Sequence, residues 1–144
     1  MAKLEEGVRY GGVYPVRLHV PADTPADKPV TVEVEVNDPV ITGIDVDYPV
    51  GCCALVHVQV FYGIKQVAPK PEGADYMGDG KRYPGPMNWK LPEMPCRLII
   101  KAWNEDETYD HEPIVYINTA PEEAARPWGV LSDFIAILKR LMGV

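Results

Sequence analysis

The sequence predicts a mainly β protein: an antiparallel, Ig-like or Greek-key β-sandwich followed by a C-terminal amphipathic α-helix. Three observations predict it. Segments in which apolar and polar residues alternate recur at intervals of roughly ten residues with turn residues between them, the spacing of sandwich strands. One run, Gly51 to Tyr62, is apolar on both faces: Val56, Val58 and Val60 point one way and Leu55 and Phe61 the other, with His57 and Gln59 between them. Such a strand belongs between two layers, not at an edge. From Val130 onward the apolar period lengthens from that of a strand to that of a helix.

Taken in order, residues 1–12 read as a polar N-terminal arm ending in Gly11-Gly12, and residues 13–118 as the sandwich. Val16, Leu18 and Val20 alternate with Arg17 and His19 as a half-buried strand, and Pro21 to Pro29 is a stiff polar connection. Val30, Val32, Val34 and Val36 alternate with Thr31, Glu33 and Glu35, which gives one core face and one acidic wet face. After the Asn37-Asp38-Pro39 turn, Ile44, Val46 and Tyr48 alternate with Asp45 and Asp47.

The central strand then leads through a short extension, Gly63 to Val67, into a Pro- and Gly-punctuated loop at 69–95, with Gly78-Asp79-Gly80 as a tight tip. A loop of that length in a small domain is usually functional. Tyr76, Met77, Tyr83 and Trp89 are its contact candidates, either folded back over the sandwich or presented to a partner. Cys96 to Trp103 is the second buried strand, and Ile114 to Asn118 returns from it as a wide hairpin.

Residues 119–144 are the helical segment. Thr119-Ala-Pro-Glu122 fits a capping box for a short helix that Pro127 breaks. Beyond it Leu131, Phe134, Ile135, Leu138, Leu141 and Met142 fall on one helical stripe, with Asp133, Lys139 and Arg140 off it. This stripe is the candidate protein interface. Two heptads are marginal as a free helix, so its own sandwich, identical helices or another protein, or a membrane surface, for which its polar face has few cations, must cover it.

Composition narrows the function. With 144 residues, 47% hydrophobic and 24% charged, the chain is one ordinary globular domain. A net charge of -7 without any basic run argues against nucleic acid. The charged N-terminus shows no export signal and the C-terminal stretch is too interrupted to span a bilayer, so synthesis in the cytoplasm is expected. Cys52, Cys53 and Cys96 are expected as free thiols of a reducing compartment. Fifteen prolines and only two Gln, 59 and 66, suit a thermophilic source. A single serine, Ser132, leaves little for serine-based catalysis.

The chemical-looking clusters are weak. Glu105, Asp106 and Asp110 lie in an acidic hairpin that could offer oxygens to a hard cation such as calcium, but the spacing is not that of an EF-hand. His19, His57 and His111 are scattered, with no paired metal-ligand spacing, and no cofactor motif exists. No catalytic residue is expected.

Together the strand GCCALVHVQVFYG, Gln66, Gly78-Asp79-Gly80 and the hairpin WNEDETYDH resemble small β-sandwich proteins from the structural-gene regions of bacterial and archaeal tailed viruses. The resemblance covers roughly Val30 to Asn118 and brings no catalytic residues. It implies a virion component such as a head-decoration protein. The expectation is therefore a non-enzymatic assembly protein, a homo-oligomer engaging a larger shell through its termini and long loop. The alternative is a module binding carbohydrate or a host surface, with calcium assisting at the acidic hairpin.

Overall fold

The computed structural model describes residues 11–122 and 127–143, and within the C-terminal helix it describes side chains from Phe134 onward. The N-terminal arm, apart from its two closing glycines, lies outside the described residues. Among the described residues nine strands precede one helix: β1 (Val13–Arg17), β2 (Val30–Val36), β3 (Val40–Asp47), β4 (Val56–Tyr62), β5 (Lys65–Ala68), β6 (Arg82–Tyr83), β7 (Pro86–Lys90), β8 (Cys96–Asn104), β9 (Ile114–Ala120) and α1 (Pro127–Leu141).

The strands form two antiparallel sheets. One runs β1-β9-β3 and is completed by β6 and β7, both of which pair with β3; the other runs β2-β8-β4-β5. Apart from the β4–β5 hairpin and the step from β6 to β7, every connection crosses from one sheet to the other. With β6 and β7 counted as one interrupted strand, this is the eight-strand, double Greek-key order of a jelly roll. The sandwich and its Greek-key wiring are as the sequence suggests, and the finer order is the jelly-roll one.

Period-two alternation sets which side of each strand is dry. Val56, Val58 and Val60 of β4 meet Leu98, Ile100 and Ala102 of β8 in the core, all fully buried, with Ile41, Ile44 and Val46 of β3 and Val115 and Ile117 of β9 opposite. The two-faced run is therefore an inner strand, between β8 and β5, but it starts later than its apolar residues suggest. Residues 51–55 form a turn in which Gly51, Cys53 and Ala54 all have positive φ (108°, 51° and 60°). A strand cannot pass through that region of backbone space.

Three further expectations are corrected. The wide hairpin of β8 and β9 does not exist, because β8 pairs with β2 and β4 while β9 pairs with β1 and β3. Their apolar faces meet across the core instead of lying side by side, so the connection spans the sandwich. Thr119 does not cap a helix: it is the penultimate residue of β9, and its hydroxyl bonds Asp38 Oδ2 (2.8 Å) and the Gly12 carbonyl (3.1 Å). Pro127 begins α1, the first-turn position where a missing N–H costs nothing; residues 123–126 of the short helix expected before it lie outside the described residues. The loop at 69–95 also contains β6 and β7. Pro84-Gly85 separates them, and Gly85 passes so close to β3 that an added Cβ would lie 2.3 Å from the Ile44 carbonyl oxygen.

Candidate functional site

The helix is the most exposed apolar element. Every described side chain from Phe134 to Met142 faces water, including Phe134 (57% exposed), Leu141 (79%) and Met142 (66%). Of the six stripe residues, Phe134, Ile135, Leu138, Leu141 and Met142 are all uncovered, and Ile137 widens the apolar side. Leu131 lies outside the described side chains. Lys139 and Arg140 sit in the last turn, where cations complement the helix dipole, and Gly143 ends the helix at φ 70°. The stripe is thus not used by its own sandwich over this span. No helix among the described residues is long and apolar enough to cross a membrane.

The long loop folds back through Tyr76. Its backbone extends the edge of β4 by bonding Val58 in both directions (2.9 and 3.0 Å), and its hydroxyl crosses to donate to the Ile44 carbonyl of the other sheet (2.7 Å). Tyr48 answers from that sheet, donating to the Tyr76 carbonyl (2.8 Å). Burial pushes both phenols up, Tyr76 to about 12 with the Asp45 charge adding. Tyr76 is thus a staple between the sheets and not a free loop contact. Tyr83 packs over Gly78 and edge-on to Tyr48, so Gly78 admits no side chain. The Gly78-Asp79-Gly80 segment is no hairpin tip: it docks on the 51–55 turn, with Asp79 accepting from the Gly51 N–H (2.8 Å). Met77 alone of the four contact candidates is largely exposed.

Trp89 lies where the sandwich opens. Between the edge strands β5 and β7 runs a groove of about 730 Å³, with Tyr62, Met87, Trp89 and Val67 toward the core and Lys65, Lys70 and Lys90 among its lining. Trp89 meets Tyr62 edge to face at 5.8 Å. The lining contains Gln66 and Asn88 but no Asp or Glu. Sequence reasoning singled out Trp89 and missed Tyr62 and the lysines, since their two strands belong to different sheets and become neighbours only at the open edge.

The acidic residues expected at a hairpin tip lie on the connection that crosses from β8 to β9, and they do not converge. Asp106 accepts the Thr108 and Tyr109 N–H groups on Oδ1 and faces His111 Nε2 with Oδ2 (2.9 Å). The Thr108 N–H, then His111 and the Tyr109 N–H, hold its carboxyl below the usual range. Asp110 accepts from the Ala22 N–H and lies 3.5 Å from His19. Glu105 lies 3.5 Å from His57 Nε2, an atom that is buried without a hydrogen bond, while His57 Nδ1 is held by Asp75 at 2.7 Å and its ring stacks on Trp103. Each carboxylate proposed for calcium is therefore turned toward a different histidine. Among the described residues no group of three or more His, Cys, Asp or Glu is arranged to hold a metal ion. The His57 side chain as a whole is largely buried.

Family models, curated proteins and solved structures give no match to this chain. Its chemistry is therefore read from its own surfaces. All three cysteines are free; Cys52 and Cys96 are buried, with burial pushing the Cys52 thiol up to about 11, and Cys53 is exposed on the positive-φ turn. The two buried thiols are thereby inert at neutral pH.

Proposed function

We propose that this chain is a non-enzymatic assembly protein, a jelly-roll unit that joins copies of itself through α1, in the manner of a shell-decorating virion component. The uncovered apolar side of α1 from Phe134 to Met142 carries this reading. Full burial of each such side chain is worth roughly 1.5–3 kcal/mol, and a helix pair brings five from each copy, so even partial burial offsets the ~4–15 kcal/mol cost of association. Association of copies through α1 is then favourable, and closed symmetry covers the stripe of every copy. Copies of the same chain suit the helix better than a lipid surface, because its sequence offers only Lys139 and Arg140 as cations and the chain as a whole carries -7. Viral coat proteins are among the uses of the jelly roll, which supports the reading by analogy of fold alone.

The test is the solution mass of the full chain beside Phe134→Glu/Leu138→Glu/Leu141→Glu, by analytical ultracentrifugation. We expect the wild type to form a discrete oligomer and the triple variant to be monomeric with an unchanged β-type circular dichroism spectrum. A wild type that stays monomeric at every concentration, or one that floats with lipid vesicles in preference to self-associating, would overturn the reading.

A further inference from the structure

The groove between β5 and β7 has two properties that the fold does not require. The first is its charge. In a chain with 21 acidic and 14 basic residues, three lysines and no Asp or Glu line it, with Glu93 outside the lining accepting from the Tyr62 hydroxyl at 3.0 Å. Lys90 is held by Glu122 at 2.7 Å, whereas Lys65 and Lys70 have no acidic partner among the described residues. Lysines and prolines on edge strands discourage strand-to-strand aggregation, which accounts for a lysine on each edge. It does not account for the second property, an aromatic floor left open: Tyr62 and Trp89 are only half-buried, although they pack against the core.

Rings with accessible faces bind the apolar faces of flat or ring-shaped ligands, and ammonium groups at the rim bind anions. The groove volume is within the ~300–1,000 Å³ of small-ligand sites, and Pro69, Pro84, Pro86 and Pro92 stiffen its walls, which lowers the ordering cost of binding. An extended peptide adding as a strand is disfavoured. Pro86 has no N–H to give at the start of β7, and β5 offers four residues only.

We propose that this groove binds an acidic oligosaccharide, its sugar rings against Trp89 and Tyr62 and its carboxylate or sulfate groups on Lys65 and Lys70. The site lies on the sandwich, apart from α1, and does not depend on self-association.

The experiment is calorimetric titration of the full chain with oligogalacturonate, with a heparin-derived oligosaccharide, with a neutral malto-oligosaccharide and with poly-glutamate. The first two separate carboxylate from sulfate as the anion. We expect at least one of them to bind, with affinity falling as salt rises. Lys65→Glu/Lys70→Glu and Trp89→Ala should each weaken that binding by roughly ten-fold or more. Both lysines are exposed, so the double variant keeps the test valid should Trp89→Ala fail to fold. The proposal is overturned if neither acidic sugar binds, if the lysine variant binds as tightly as the wild type, if the neutral sugar binds equally well, or if poly-glutamate binds as tightly, which would assign the groove to acidic peptides.

Discussion

Tyr76 ties the two sheets together with a backbone pair on one side and a hydroxyl on the other. Replacing it with Phe removes one buried hydrogen bond, so Tyr76→Phe should lower the unfolding free energy by about 1–1.5 kcal/mol, read from urea melts. Its raised ionisation has a definite sign. A phenol whose folded value, about 12, exceeds the unfolded value of about 10 contributes stability that is complete below the lower figure. That contribution is lost as pH rises through the upper one. The wild type should therefore lose stability over that alkaline window, and Tyr76→Phe should lose less. Asp45 works in the opposite direction. Burial pushes its carboxyl up, but the Gly85 N–H, Arg82 (2.7 and 3.0 Å) and Asn118 outweigh it and hold the group below the usual carboxylate range. Its contribution is present above the unfolded value near 3.9 and is lost as pH falls through the lower folded one. Asp45→Asn should cost about 1 kcal/mol at neutral pH, since Arg82 is partly solvated, and should flatten the acid limb of a stability-versus-pH curve. Neither pairing shows in the sequence, where Tyr76 lies in an apparent loop and Asp45 reads as the wet side of a strand.

At the scale of elements, the described side chains of α1, from Phe134 onward, stand clear of the sandwich. The helix packs none of its described side chains on the sheets, so a chain ending after Glu122 should keep the melting temperature of the full protein to within about 2 °C when both are monomeric. Differential scanning calorimetry on dilute samples checks this. A drop of ten degrees or so would mean that the helix stabilises its own domain. The exposed apolar stripe of α1, the proposed interface, was legible in the spacing of Phe134, Ile135, Leu138, Leu141 and Met142, because helical period is a local property. Whether anything of its own fold covers that stripe was not legible. The groove failed to show for a related reason: Lys65 and Trp89 are far apart in sequence, and each reads alone as an ordinary edge-strand residue.

For the whole molecule, the jelly-roll wiring places sequence-distant strands side by side: β1 pairs with β9, with Val13 opposite Asn118. Such pairings require closing long loops before any contact rewards them, so refolding should relax in roughly milliseconds to seconds. Stopped-flow tryptophan fluorescence would measure it, and a microsecond phase accounting for all of the amplitude would contradict the topology. By itself the sequence determined the alternation that turns Val32, Val58, Ile100 and Ile117 inward, the acidic balance, and the helical period after Val130, because each is written in neighbours a few residues apart. The tertiary structure alone decided which strands pair, that β8 and β9 face each other across the core, that Glu105, Asp106 and Asp110 each face a different histidine, and that an aromatic, lysine-rimmed groove opens between β5 and β7. Those outcomes depend on how two curved, twisted sheets fit together over the length of the chain, and no local spacing encodes that fit.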